Sequence, residues 1–204
     1  MRRTVRRSSV FAVTLLMAVV GMVTLTGSAA SARPLNNRVT QTAFIWNCPT
    51  GTPGCSAVQT RVGDVRTADP MTDVCRVTIA GVAKNLIYNR TARAGASLRT
   101  GFLYRSNLQS PNLQQDSCVS GGSFNNVPGN TPQRLCPHPN CGGVATATSG
   151  QQLREFCSVD DEIGNIWHLT VALSTTTGPL TAGFINRDDL NNATNLQFDC
   201  HNLI

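Results

Sequence analysis

The sequence has few aromatic and few charged residues: Phe, Trp and Tyr make up 5% of the chain, and Asp, Glu, Lys and Arg 14%. It also lacks the short motifs of several enzyme classes, because no G-x-S-x-G elbow, H-E-x-x-H helix or phosphate-binding loop appears. After residue 32, no segment repeats apolar residues with a helical period for more than two turns. These absences argue against a helical protein and make catalysis the weakest of the functional hypotheses.

The N-terminus has the pattern of a secretory signal peptide. MRRTVRR carries four arginines and no acid, an apolar run follows at 10–25, and small residues at 30–32 offer an A-x-A cleavage site. The apolar run is shorter than the ~20 residues that a membrane span needs. We therefore expect cleavage of residues 1–32 and a protein that is secreted, either free in the extracellular space or associated with the cell wall.

Charge excludes two classes of partner. Once the signal peptide is removed, 13 basic residues face 11 acidic ones, a net charge of +2. A charge this small, without a run of Lys or Arg, predicts no nucleic-acid partner. The same chain has no basic amphipathic segment, so no membrane contact is expected after cleavage. The remaining partners are a cell-wall peptide or an extracellular protein, bound by a monomer.

The cysteines all follow the signal peptide, and there are eight of them. An even number in an exported chain predicts four disulfides. A zinc site is the alternative, since a His lies between Cys136 and Cys141, but the spacing is not the paired C-x2-C of a zinc finger. We predict no metal and no cofactor. The predicted disulfide residues are Cys48, Cys55, Cys75, Cys118, Cys136, Cys141, Cys157 and Cys200.

An internal duplication relates the two halves of the chain. GFLYRSNL at 101–108 returns as GFINRDDL at 183–190, and Cys75 and Cys118 each recur 82 positions later, as Cys157 and Cys200. The equal spacing of 43 residues predicts one long disulfide in each half, Cys75–Cys118 and Cys157–Cys200. The closer pairs, Cys48–Cys55 and Cys136–Cys141, would each hold a turn.

Within the repeat, KNLIY at 84–88 matches GNIWH at 164–168 at an offset of 80, which places Ile87 where the second half has Trp167. The missing Trp suggests that the first copy has drifted into a structural role. From 165 to 172, apolar Trp167, Leu169 and Val171 alternate with polar residues, which predicts a half-buried strand with His168 facing outward.

The predicted fold class is all-β, with short strands and many turns. Each unit of roughly 80 residues is long enough to form its own domain. We predict a first domain at 33–119 and a second at 134–204. Residues 120–133 are rich in Gly, Asn and Pro, which predicts a loop that serves as linker or as the start of the second domain.

The second half resembles the bacterial SH3-like family, SH3b. The resemblance is carried by Arg134 with its Pro-rich turn, by the Ser149-Gly150-Gln151 turn, by Trp167, and by the Gly183-Phe184-Ile185 strand. It implies two tandem small SH3-like β-barrels, cross-linked by disulfides, in a secreted protein of actinobacterial type. It also implies a binding role, because SH3b domains of exported proteins commonly recognise cell-wall peptides.

Candidate ligand-binding residues are aromatic, arginine or histidine side chains that could be exposed, because such residues dominate binding surfaces. They are Trp46, Tyr88, Tyr104, His168 and Arg187. Trp167 and Phe184 are expected in the core. The acidic cluster at 160–162 predicts a solvated turn rather than a catalytic pair.

Three functional hypotheses follow. The leading one is a secreted, non-catalytic protein that binds cell-wall peptide or a wall-associated partner through two SH3-like domains. The alternative is a secreted disulfide-rich inhibitor of an extracellular hydrolase, which would present the bridged loop at 136–141. The third is an enzyme of unknown type, and no catalytic residue is assigned.

Overall fold

The computed structural model describes residues 34–49, 61–67, 69–91, 99–113, 116–173, 180–192, 196 and 198–201. The predicted signal peptide lies outside these residues. In the described part the chain forms twelve β-strands and two short 3-10 turns, with no α-helix. The all-β prediction is therefore confirmed. No helix in the described ranges has the length and apolar character to cross a membrane.

The first half forms a six-stranded antiparallel sheet. Its strands lie side by side in the order β1-β4-β5-β6-β2-β3, and a 3-10 turn at Arg105–Asn107 follows the last of them along the chain. All neighbouring strands are antiparallel, and three of the five neighbouring pairs, β2-β3, β4-β5 and β5-β6, are consecutive along the chain. The strands are β1 (Leu35–Asn37), β2 (Ala43–Trp46), β3 (Arg61–Val65), β4 (Met71–Ile79), β5 (Val82–Asn89) and β6 (Arg99–Tyr104).

The second half repeats this sheet with the same strand order, β7-β10-β11-β12-β8-β9. Part of it lies in the segment 120–133 that was predicted to be a loop, because that segment contains β7 and most of β8. Asn-rich β7 forms at the sheet edge, where a strand pairs on one side only and weak β-formers are tolerated. The strands are β7 (Ser123–Asn126), β8 (Thr131–Arg134), β9 (Gly143–Ala147), β10 (Gln152–Asp160), β11 (Ile166–Ala172) and β12 (Thr181–Asn186), followed by a 3-10 turn at Arg187–Asp189.

Strand pairing corrects the predicted register of the repeat. Lys84 pairs with Tyr104, and Trp167 pairs with Asn186, which lies 82 positions after Tyr104. The structural equivalent of Trp167 is therefore Lys84, at an offset of 83, and the predicted offset of 80 is wrong. The sequence match was misleading because residues facing different sides of the strand were aligned by their apolar character alone.

The disulfides follow the predicted pairing where the structure describes both partners. Cys75–Cys118 and Cys157–Cys200 have Cα separations of 5.0 and 5.2 Å and tie β4 and β10 to the chain segments that end each half. Cys136–Cys141 closes the short loop after β8. Cys48 is also disulfide-bonded, and its predicted partner, Cys55, lies outside the described residues. Such cross-links are typical of extracellular proteins.

Three apolar clusters form the core. One lies inside the first half and includes Ile45, Met71 and Leu103. The second lies at the equivalent place in the second half and includes Leu153 and Ile185. The third and largest draws residues from both halves, among them Val74, Leu86 and Phe102 from the first and Phe156, Leu169 and Phe184 from the second. The two sheets therefore pack on each other, which argues against domains that fold independently.

Hydrogen bonds between the halves are reciprocal. The backbone N–H of Thr100 donates to the carbonyl of Leu135 at 2.9 Å, and the N–H of Ala182 donates to the carbonyl of Asn47 at 3.2 Å. Strand pairing makes Ala182 the equivalent of Thr100 and Leu135 the equivalent of Asn47. Contacts in which each partner uses the same pair of positions define a two-fold related interface. The duplicated chain thus resembles a homodimer fused into one polypeptide.

The repeated phrase GFxxRxxL has a structural reason at three of its positions. A Cβ on Gly101 would lie 2.6 Å from the carbonyl oxygen of Trp46, so β2 can cross β6 only where the side chain is absent. Phe102 and its equivalent Phe184 fill the shared core. Leu108 packs in the core of the first half, as its equivalent does in the second.

Candidate functional site

Tyr88 is not available to a ligand, although it was a candidate binding residue. Its side chain is fully buried in the shared core, where its ring lies 5.2 Å from that of Phe184 in an edge arrangement. Its hydroxyl is 2.8 Å from Nε2 of His201. Burial raises the pKa of Tyr88, so the hydroxyl stays protonated and can donate to His201. Tyr88 therefore holds the two halves together.

His168 was predicted to face outward on β11, and that prediction is wrong. The side chain is fully buried, and its Nδ1 lies 3.0 Å from Oε1 of Glu155. The same carboxylate oxygen accepts a hydrogen bond from the amide of Asn125 at 3.0 Å. The polar face of β11 is thus covered by polar side chains inside the second half. An alternating sequence pattern is the same whether the polar face meets solvent or buried polar partners.

The first half contains the equivalent buried cluster. The amides of Asn37 and Asn85 donate to the carboxylate of Asp73 at 3.0 and 2.9 Å. Strand pairing makes these residues the equivalents of Asn125, His168 and Glu155. A buried carboxylate that accepts bonds from two neighbouring strands is therefore a structural feature of both halves. Neither cluster is open to substrate, so neither supports catalysis.

Arg187 lies apart from the other candidates, at the start of the second 3-10 turn. Its side chain is 32% exposed and makes an ion pair of 3.4 Å with the neighbouring Asp188. Exposed pairs of this kind contribute little to stability or recognition.

Trp46 and Tyr104, in contrast, are brought together on the first sheet. Both are half-buried, and their rings meet edge to face at 5.4 Å. Phe44, 44% exposed, lies two positions before Trp46 on the same side of β2, with ring centroids 6.3 Å apart. We call these three residues the aromatic ridge. Edge-to-face contacts fix the rings relative to one another.

Two cations flank the aromatic ridge. The guanidinium of Arg61 lies 3.6 Å from the ring centroid of Phe44. The ammonium of Lys84, the single lysine of the chain, lies 5.2 Å from the ring centroid of Tyr104. Burial lowers the pKa of Lys84, and the neighbouring Tyr104 opposes that shift. Both distances are in the range of cation–π contact, so the ridge combines apolar ring surface with positive charge.

Sequence reasoning missed Phe44, Arg61 and Lys84. The signal for Phe44 was present, because in AFIW at 43–46 the small Ala43 and the aliphatic Ile45 face the core. The alternation of a strand then places Phe44 and Trp46 on the opposite side. The partners from other strands could be found only from the sheet order, which places β3 and β6 on either side of β2.

The second half has no aromatic ridge at the equivalent positions. Arg134 replaces Trp46 and donates to the carbonyl of Cys141 at 2.8 Å. Trp167 replaces Lys84, but it is buried and its indole N–H donates to Asp161 at 3.0 Å. Burial opposes ionisation of Asp161, yet hydrogen bonds from Trp167, from Asn165 and from the Ile163 backbone outweigh it and lower the pKa to about 2. These side chains therefore form hydrogen bonds within the neighbouring loops.

The bridged loop at 136–141 was the candidate inhibitory segment. Its backbone is closed by hydrogen bonds from His138 to Cys136 and from Cys141 to His138, at 2.8 and 3.0 Å. Only Pro139 and Asn140 in it are exposed. A cavity of about 450 Å³ separates the loop from the turn at 160–162 and from His201. Apart from Asp161, the acids of this turn are exposed, as predicted.

Among the residues that the structure describes, no three His, Cys, Asp or Glu side chains are placed to hold a metal ion. Comparison of the chain with protein-family models, with curated proteins and with solved structures found no match. The function is therefore argued from the site itself.

Proposed function

We propose that this protein is a secreted, non-catalytic binding protein that recognises cell-wall peptide, or a wall-associated partner, through the aromatic ridge of its first half. The observation that carries the proposal is the ridge: Trp46 contacts both Phe44 and Tyr104, with Phe44 exposed and the other two rings half-buried, in a chain that has few aromatic residues. The tandem SH3-like architecture is part of the proposal. It is supported by two small antiparallel sheets of one topology, each with a Gly-Phe strand.

The ridge suits peptide binding for two physical reasons. Aromatic and arginine side chains contribute most of the binding energy at protein surfaces, because they bury a large area per residue. Trp46 and Tyr104 are already packed against each other, so little conformational entropy is lost when a ligand covers them. Arg61, which is exposed, adds a charge that can pair with a carboxylate of a peptide, whereas Lys84 is buried beside Tyr104.

The test is sedimentation of the oxidised protein, without its predicted signal peptide, with purified insoluble peptidoglycan at low and moderate salt. Phe44→Ala removes an exposed ring of the ridge and is expected to weaken binding about five- to thirty-fold, as truncation of an interface aromatic does. Phe124→Ala is the matched control, because Phe124 is 52% exposed and lies under Arg154, 5.5 Å away, in the second half. Equal pelleting of the two variants, or no pelleting of wild type, would refute the proposal.

Inhibition of a secreted hydrolase is the second candidate function, favoured by the closed loop at 136–141. The disulfide and the two internal hydrogen bonds fix the backbone on either side of exposed Pro139 and Asn140, and rigidity of this kind reduces the cost of binding. The test is a panel of secreted proteases assayed with wild type and with Asn140→Ala. Undiminished protease activity at high protein concentration would remove this candidate and would not affect the wall-binding proposal.

A further inference from the structure

A second cleft lies at the other end of the first sheet, away from the aromatic ridge. Lys84, beside the ridge, lies near the start of β5, and Arg90, beside the cleft, directly follows the end of that strand. Six residues of extended chain span about 20 Å. The cleft has a volume of about 360 Å³ and forms where edge strand β1 meets the chain before β4, after β5 and after the first 3-10 turn. Its polar lining includes Asn36, Arg38, Arg90, Gln109 and Ser110.

Positive charge and hydrogen-bond donors dominate this lining. Arg38, Gln109 and Ser110 are exposed. Arg90 is half-buried, and it donates to the carbonyl of His201 at 2.9 Å and to Oδ1 of Asn36 at 2.7 Å. Its Nε is buried and has no partner among the described residues. A buried donor without a partner is costly, and an anion is the group that would satisfy it best.

None of the described residues that line the cleft carries a carboxylate. The acids behind its wall are buried and already accept hydrogen bonds. Asp69, next to Pro70 of the lining, is 5% exposed and accepts from Asn89; Asp73 is fully buried and accepts from Asn37 and Asn85. Asn37 lies between this carboxylate and the cleft, because its amide also donates to the backbone of Ser110 at 3.2 Å. The two guanidinium groups are therefore not neutralised by an acid within the cleft.

The second half shows that the fold does not require these arginines. Leu173 stands at the position of Arg90. The backbone N–H of Leu173 donates to the carbonyl of Gln152 at the start of β10, and that of Arg90 donates to the equivalent carbonyl of Pro70, just before β4. Asn126 stands at the position of Arg38. The carbonyl of Asn126 accepts a hydrogen bond from the N–H of Asn191 at 3.0 Å, and that of Arg38 accepts from the N–H of Gln109 at 2.7 Å, each after the 3-10 turn of its half. The same backbone forms with neutral side chains, so the charges in the first half need another explanation.

We propose that this cleft binds the carboxylate of a small acid or of a peptide, held by Arg38 and Arg90 with Gln109 and Ser110 as further donors. Planar guanidinium groups match the geometry of a carboxylate and pair with it through two parallel hydrogen bonds. The site goes beyond the proposed wall binding, because it takes a charged group at a distance from the ridge. If the cleft binds no carboxylate, the proposal that the ridge binds cell-wall peptide is unaffected.

The test is an NMR titration of the ¹⁵N-labelled, oxidised protein at low salt, with N-acetylalanine as the carboxylate probe. We expect saturable shifts at the backbone amides of Arg38, Gln109 and Ser110. Arg38→Gln should weaken binding about tenfold, the effect of losing one charged hydrogen bond. Arg76→Gln is the control, since Arg76 is exposed on β4 and its loss changes the net charge equally. Phe44→Ala should bind the probe as wild type does.

Three results would overturn the proposal. Equal affinities of wild type and Arg38→Gln would show that the arginine takes no part. Equal losses in Arg38→Gln and Arg76→Gln would show that only the overall charge matters. Tighter binding of inorganic phosphate than of N-acetylalanine would exclude a carboxylate as the preferred ligand. Ser110→Ala provides a neutral second variant, expected to weaken binding about two- to threefold through one lost hydrogen bond.

Discussion

Substitution of Gly183 by Ala tests why the repeated phrase begins with glycine. A Cβ at this position would lie 2.8 Å from Cβ of Gln133 and 3.0 Å from the carbonyl oxygen of Arg134. Both contacts are shorter than carbon atoms normally tolerate, so β8 and β12 must move apart. Overpacking of this kind costs about 1–3 kcal/mol. We therefore expect Gly183→Ala to lower the free energy of unfolding by that amount, measured by urea denaturation of the oxidised protein.

The matched control is Gly143→Ala, on the other side of β8. There a Cβ would have its nearest contact at 3.9 Å, with the carbonyl oxygen of Gln133. Ala at an unstrained position restricts the unfolded chain and stabilises by about 0.4–1 kcal/mol, so this variant should be as stable as wild type or more so. Gly101→Ala should be at least as damaging as Gly183→Ala, because the 2.6 Å contact is with the backbone. If Gly183→Ala and Gly143→Ala unfolded at the same urea concentration, the close-approach argument would be wrong.

Further measurements address cooperativity, pH and the disulfides. Because the largest core is shared, the two halves should unfold together. Trp46→Phe keeps Trp167 in the second half and Trp167→Phe keeps Trp46 in the first, so Trp fluorescence of each variant should show a single unfolding transition. Two separate transitions would contradict the shared core. Burial lowers the pKa of His201, so its stabilisation is complete above the unfolded pKa near 6.5 and is lost as pH falls through the folded value. His201→Gln should flatten the stability profile as the pH falls below about 6.5, and an unchanged slope would count against this. Replacing Cys157 and Cys200 by Ala should cost about 4 kcal/mol in the chain-entropy model, and a loss below about 1 kcal/mol would refute it.

Much of the fold could be predicted from the sequence, because duplication supplies two independent views of one pattern. Equal spacing of Cys75–Cys118 and Cys157–Cys200 identified two long disulfides that the structure confirms. The all-β class followed from turn residues and from the lack of a helical period. The core positions of Phe184 and Trp167 were also predicted correctly.

The two errors about exposure, at Tyr88 and His168, share one physical cause. The periodicity of a strand does not show which elements cover either of its faces. Tyr88 is buried by the other half of the chain, and His168 is buried with the carboxylate of Glu155. Periodicity records only that two faces differ, whereas burial depends on which elements pack against each. The register error at Lys84 has a related origin, since pairing between distant strands decides it.

The two halves have diverged in opposite directions, and the shared core explains why they were free to do so. Phe102 and Phe184 both face the interface between the sheets, and a change at either would disturb both halves. The core inside each half has no such constraint. Where the first half has Ile45, the second has Gln133, which donates to the hydroxyl of Thr170 at 3.1 Å in a buried polar network. The first half has an apolar residue at this position, and it carries the ridge rings and the cleft arginines. This supports the proposal that binding belongs to the first half, contrary to the idea that it had become structural, and that the second half acts as its support.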